Sequence, residues 1–361
     1  MASTATRTPW WAWTWPAVAW VILALQFALG SRGPLAVAEL FGLIATVFAA
    51  VYHAEVVAHR VGEPFGSVVL ALAVTIIEVA LIVSMMITGG ADKAGLARDT
   101  VFSAVMIVCN GIVGLCLLAG GIRHREQVFQ LQGANASLSV LIALTTLTLV
   151  FPNVTTATPG PSFSPAQLAF AAVVSLILYG SFLFVQTVRH RDYFLPTDGG
   201  GEESHAPPPP NQVALLSAGL LLASLVAVVA LAKELTPTLE LGIEKVSAPK
   251  SVVGIIIAAL VLLPEGLASF RAASANRLQT SINLALGSAL ASIGLTIPAV
   301  AGVSILTGKP LTLGLDAKEE LLLFLTLIVS VLTLGTGRTT VLQGIVHLVI
   351  FASFLFLAIV P

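Results

Sequence analysis

The sequence predicts an all-α polytopic membrane protein with about eleven transmembrane helices: two five-helix repeats of inverted topology behind one extra N-terminal helix. Three observations carry that prediction. Hydrophobic residues make up 57% of the chain and charged ones 10%, and the mean hydropathy of +0.98 belongs to no soluble class. Apolar stretches long enough to cross a bilayer follow one another along the whole chain. Finally, one carboxylate sits in the middle of such a stretch, twice, at matching positions. The formal net charge of −1 says nothing about nucleic acid, and no basic cluster suggests it as a partner.

Taken in order, Met1–Thr8 is polar, and the apolar run Trp10–Gly30 holds all five tryptophans, Trp10, Trp11, Trp13, Trp15 and Trp20. Tryptophans clustered at one end of a span read as an interfacial anchor. A cleaved signal peptide fits less well, because the aromatic end precedes the apolar run and only Arg7 supplies positive charge. Residues 1–33 therefore form the extra N-terminal segment. Ten further spans follow at approximately 34–58, 64–88, 97–121, 134–151, 164–188, 212–233, 251–271, 281–306, 318–335 and 339–360. The one long polar connection, Arg189–Asn211, is rich in Gly, Pro and acidic residues and reads as a flexible linker. It divides the spans into repeat 1, residues 34–188, and repeat 2, residues 212–361.

An odd number of spans in each repeat makes the second enter the membrane from the opposite face, the arrangement of many secondary transporters. Arg7, Arg60, Arg123, Arg125, Arg189, Arg191, Arg271, Arg277 and Arg338 fall on one side, with His59, His124 and His190. Arg32, Lys93, Arg98, Lys233, Lys245, Lys250, Lys309 and Lys318 fall on the other. The first group lies in short connections, so the N-terminus and the 189–211 linker are expected on the cytoplasmic side of the cell membrane.

The second span of each repeat carries the central carboxylate: Glu78 in the first, Glu265 in the second. Each lies fourteen residues past the start of its apolar stretch, Pro64 or Ser251, roughly 21 Å along a helix and close to mid-membrane. Ionisable groups at that depth are costly, so function is their default explanation. Two carboxylates can hold a hard cation through oxygen ligands and take up protons when it leaves. In repeat 2, Pro264 removes a backbone donor beside Glu265 and Gly266 loosens the same spot, so a helix break is expected there.

The span after each Glu-bearing one holds small polar residues: Asn110 in repeat 1, Ser288 and Ser292 one turn apart in repeat 2. They are candidate neutral ligands, as is Thr75, one turn before Glu78. The alternative for each is interhelical hydrogen bonding. Glu63, at the mouth of the Glu78 span, is a candidate for attracting cations. His53 and Glu55 lie near a helix end and are expected to be solvated. Glu39 and His347 lie deeper and could join a proton path, although lone polar residues of this kind are more often satisfied structurally. Cys109 and Cys116, seven apart in one span, are too distant for a disulfide and too few for a metal site, so they read as packing residues.

The stretches "GEPFGSVVLALAVTIIEVALI", "ARDTVFSAVMIVCNGIVG" and "LVLLPEGLASFRAASANRLQTSINLALGSALASIGLTIPAVAGV" resemble the two alpha repeats of bacterial calcium:proton antiporters of the calcium/cation antiporter superfamily. The likeness spans residues 34–360, with alpha motifs at about 62–115 and 251–303, and the Trp-rich helix resembles the extra segment of proton-coupled members. It implies that Glu78 and Glu265 are the ion-binding glutamates, and that Asn110, Ser288 and Ser292 match polar positions of the third helix of each repeat. Two features depart from the family pattern. Ile77 and Val79 flank Glu78 where the family pattern has Pro or Gly, and the linker offers only Asp192, Asp198, Glu202 and Glu203 as acidic residues.

The expected activity is therefore export of Ca²⁺ in exchange for H⁺ by alternating access, with Na⁺ or K⁺ exchange for H⁺ as the alternative. The partners are inorganic cations, protons and the lipid bilayer, and no cofactor is called for. An intramembrane enzyme using the two glutamates as acid and base is the remote alternative. It lacks an HExxH spacing, a Ser with a matching deep His, and an aspartate-rich diphosphate motif. A channel lacks a filter loop.

Overall fold

A computed structural model describes residues 8–29, 33–62, 65–88, 93–195, 208–245, 249 and 251–360. Among them the chain forms eleven helical rods: α1 Trp10–Leu29, α2 Gly33–Val61, α3 Phe65–Thr88, α4 Leu96–His124, α5 Leu131–Asn153, α6 Pro165–Arg189, α7 Asn211–Lys245, α8 Ser251–Ser274, α9 Leu278–Thr307, α10 Ala317–Leu334 and α11 Val341–Ile359. Nine helices are long and apolar enough among the described residues to cross a membrane. The other two are α3, whose apolar part is described over Leu72–Ile87, and α10, whose first turn carries Lys318, Glu319 and Glu320.

Local chemistry sets several boundaries. Ser164 caps α6 reciprocally with Gln167, with Pro165 in the first turn. Asp316 does the same for α10 with Glu319, and at α11 the Thr340 N–H and hydroxyl both donate to Gln343 Oε1. Arg125 ends α4 at a φ of 68° and Asn276 turns the chain between α8 and α9 at 61°. One helix outruns its sequence expectation: α7 was expected to stop near residue 233 but continues through Pro237 to Lys245. Pro237 supplies no N–H to the helix there, and the Thr236 hydroxyl bonds back to the Ala232 carbonyl at 2.7 Å.

The chain divides into two compact units, Met1–Ser84 with Ala206–Gly242, and Met85–His205 with Ile243–Pro361. In the first, α1 packs along α2. The Trp11 ring meets Tyr52 edge-on at 5.3 Å, and Trp20 Nε1 donates to the Ala223 carbonyl of α7 at 3.3 Å. His53 corrects the sequence reading: it is wholly buried, with Nε2 2.9 Å from the Ala12 carbonyl. Its neighbour Glu55, on another face of the same helix, is exposed as expected.

In the second unit, α4 is the most buried helix, lying against α8, α9 and α11. Small residues let backbones approach there. A Cβ on Gly254 of α8 would fall 3.1 Å from the Thr100 amide of α4. One on Gly344 of α11 would fall 2.9 Å from the Gly114 carbonyl. On the other side of α9, Gly294 leaves room for Tyr179 of α6. A two-residue antiparallel ladder, Gln127–Val128 against Arg338–Thr339, joins the end of α4 to the start of α11. Part of the expected linker is packed: Arg191–Phe194 forms a 3₁₀ turn, Phe194 is buried, and its carbonyl accepts from Asn283 Nδ2 at 2.6 Å. Asp192 and Tyr193 belong to that turn; Asp198, Glu202 and Glu203 lie outside the described residues.

Candidate functional site

Glu78 lies on α3 within the first unit. The helix turns Val74, Thr75, Ile77, Glu78, Leu81, Ile82 and Met85 to one buried side, while Leu72, Ile76 and Ile87 are exposed. Glu78 and Thr75 are each 4% exposed, so both candidate ligands of repeat 1 share the hidden face at helical spacing. Glu63 lies outside the described residues.

In the second unit, α8 brings Glu265, half-buried with one carboxylate oxygen, Oε2, hidden from solvent. The expected break at Pro264 and Gly266 is corrected: α8 is one continuous helix from Ser251 to Ser274 with Pro264 inside it. Pro264 still gives no N–H to the Leu260 carbonyl, so the effect is a missing hydrogen bond rather than an interruption. Gly266 serves contact, since a Cβ there would lie 3.2 Å from Ile112 Cδ1 of α4. α9 packs on both α8 and α4 and carries Ser288, half-buried, and Ser292, buried. Glu265, the two serines and Asn110 thus stand on three mutually packed helices.

The distortion that sequence reasoning missed is in α4. Residues Ile107–Ile112 form a π-helical turn with Asn110 at its centre. Val113 N–H reaches back to the Val108 carbonyl, so the Cys109 carbonyl loses the partner it has in an α-helix, and His347 of α11 approaches it. Asn110 is fully buried, and each end of its amide is engaged. Its Nδ2 donates to Thr326 Oγ1 of α10 at 2.9 Å, and its Oδ1 lies 3.1 Å from His347 Nδ1. The Thr326 hydroxyl is given to the Leu322 carbonyl at 2.7 Å, so its oxygen accepts from Asn110. That orients the amide and assigns the proton of His347 to Nδ1, leaving Nε2 to accept from the Thr333 hydroxyl at 3.1 Å. The glycines explain the closeness: Gly111 faces the Phe351 ring and Gly114 faces the His347 Cβ. Gly111, Gly114 and Gly344, the last one turn before His347, were the signal in the sequence. Cys109 and Cys116 are both free and buried, as packing residues are. Among the described residues no group of three or more His, Cys, Asp or Glu could hold a metal ion. A cation site among these residues would use few carboxylates with neutral oxygens.

The sodium/calcium exchanger family matches residues 34–188 and again residues 216–360. The chain belongs to the sodium/calcium exchanger protein family. Among relatives of this exchanger, the y4hA protein of Sinorhizobium fredii (strain NBRC 101917 / NGR234), described as an ionic transporter, is 51% identical over 358 residues, 98% of this chain and 97% of its own. The sodium-potassium/proton antiporter ChaA of Escherichia coli (strain K12) is 38% identical over 349 residues, 94% of this chain and 93% of its own. Among solved structures, the Ca²⁺/H⁺ antiporter YfkE is similar in fold, with a TM-score of 0.73 at 16% identity, covering 97% of this chain and 99% of that one. The exchanger described here is thus a multi-pass membrane transporter of the calcium/cation exchanger group and not an enzyme.

Proposed function

We propose that this exchanger is a cation:proton antiporter of the cell membrane that exports Ca²⁺ in exchange for H⁺ by alternating access, with Glu78 and Glu265 as the exchanging carboxylates. One observation carries the reading. Each of the two stretches that match the family, 34–188 and 216–360, holds one glutamate at the matching place of its second span: Glu78, 4% exposed, and Glu265, half-buried. The same pair of stretches supports two repeats joined by the 189–211 linker, and the arginines of the short connections support a cytoplasmic linker and N-terminus. Two carboxylates are neutralised by one Ca²⁺ or by two protons, so cation and proton compete for the same oxygens. Thr75 beside Glu78, and Ser288, Ser292 and Asn110 on the helices packed against α8, are the candidate neutral groups for cation binding.

A second reading exchanges Na⁺ or K⁺ for H⁺ at the same carboxylates. It is favoured by the 38% identical relative, a sodium-potassium/proton antiporter. One experiment separates them: flux into vesicles holding the purified protein under an imposed pH gradient, with Ca²⁺, Na⁺ and K⁺ compared. Ca²⁺ flux that collapses with a protonophore supports the first reading. Flux of Na⁺ or K⁺ alone transfers the protein to the second, and no proton-coupled flux of any of the three overturns both.

A further inference from the structure

The first unit contains a polar layer that the transport reading does not use. α1, α2 and α7 meet at Gly42, where a Cβ would come within 2.7 Å of Ile22 Cδ1 and 3.9 Å of Leu231 Cδ1. One turn beyond that apolar contact, helical spacing places three polar residues: Gln26 four after Ile22, Glu39 three before Gly42, and Glu234 three after Leu231. Gln26 Nε2 donates to Glu234 Oε2 at 3.3 Å. Glu234 is exposed and near enough for its charge to act on Glu39. Glu39 is 1% exposed, and both its carboxylate oxygens are hidden without a hydrogen-bond partner among the described residues.

A buried carboxylate with no donor cannot be kept ionised at acceptable cost. Among the described residues no buried cation stands beside it to change that. α1 has no titratable residue, α7 brings Lys233 and Glu234 to this level, and Lys233 is exposed. The other charged residues of α2, from His53 onward, begin fourteen positions later, roughly 21 Å along the helix. We propose that Glu39 is a proton-binding site of the exchanger, separate from Glu78 and Glu265, which loads and unloads through the exposed carboxylate of Glu234. In the unloading step the Glu39 O–H bond breaks as a bridging water takes the proton, and that water gives a proton to a Glu234 oxygen. Glu234 then gives that proton to water as hydronium, and loading is the reverse. Gln26 holds Glu234 in place for the transfer.

The test is infrared difference spectroscopy on the full-length protein in lipid, in a Glu78→Gln/Glu265→Gln background. Failure of the transport reading then leaves the result interpretable. A neutral-carboxyl absorption is expected at neutral pH, and Glu39→Gln removes it. Glu234→Gln slows hydrogen–deuterium exchange of that carboxyl by about tenfold or more, the scale of a lost proton-transfer partner. Should Glu39→Gln fail to fold, Glu39→Asp is expected to shift the absorption instead of removing it. A band indifferent to substitution at Glu39 overturns the site, and exchange indifferent to Glu234→Gln overturns the path. Loss of the band on adding Ca²⁺, Na⁺ or K⁺ at fixed pH makes this a cation site and overturns the proposal equally.

Discussion

Asn110 and Glu39 are equally hidden, at 0% and 1% exposure, and opposite in their surroundings. Around Asn110, the amide nitrogen, the amide oxygen and both imidazole nitrogens of His347 all find partners on α4, α10 and α11. Around Glu39, neither carboxylate oxygen does among the described residues. The two cases teach that burial alone does not mark function inside a membrane protein. A polar group whose every valence is met stabilises the architecture; one left unmet signals that something mobile, a proton or an ion, completes it. By that standard Asn110 in this structure fastens the π turn of α4 to α10 and α11. Its use as an oxygen ligand requires the His347 contact to open.

The comparison is sharpened most strongly at the two glutamates proposed to carry transport. Glu78→Gln and Glu265→Gln are each expected to abolish proton-coupled cation flux in vesicles while leaving yield and thermal stability near those of the unsubstituted protein. An amide keeps the size and loses the exchangeable charge. Near-normal flux in both variants would make these carboxylates architectural.

The next largest effect falls on the satisfied network. Asn110→Leu leaves Thr326 and His347 facing an apolar group and is expected to cost about 1–3 kcal/mol of stability per orphaned partner. The check is thermal unfolding in detergent, and an unchanged midpoint would break the comparison from this side. His347→Phe should lose less, and His347→Gln, which can still donate to Asn110 Oδ1, should restore much of the loss. If Asn110 is also a ligand, His347→Phe changes the apparent cation affinity more than the maximal rate. An effect on rate alone would leave Asn110 purely structural.

Overpacking comes third. Gly344→Leu drives a side chain into the Leu118 and Gly114 backbone of α4 and should cost about 1–3 kcal/mol, separating α11 from Asn110. Smallest is Glu39→Gln, expected to change stability by less than about 0.5 kcal/mol, because no protein hydrogen bond is lost. A large destabilisation there would reveal a partner for Glu39 and remove the contrast with Asn110.

The legible part of the protein was what depends on distance along the chain. Hydropathy read the spans, because a bilayer imposes a length on any helix that crosses it. The matching offset of Glu78 and Glu265 picked out two costly residues without reference to any neighbour, and the deep placement of Asn110 was equally visible. Burial of His53, continuity of α8 through Pro264 and extension of α7 past Pro237 were not. Each depends on what lies alongside: Ala12 for His53, and packing that outweighs one absent N–H for the prolines.

What the sequence by itself determined is the number and order of the apolar spans and which of them carry charge, because the solvent decides those one helix at a time. What only the tertiary structure decided is the answer to each buried polar group. Asn110 meets Thr326 across 216 residues and His347 across 237. Among the described residues Glu39 meets no donor while Glu234 stands near it. Lipid gives apolar helix faces no strong reason to choose one neighbour over another, so that choice rests on where glycines let backbones touch. Such contacts are properties of pairs of helices, and no single stretch of sequence contains them.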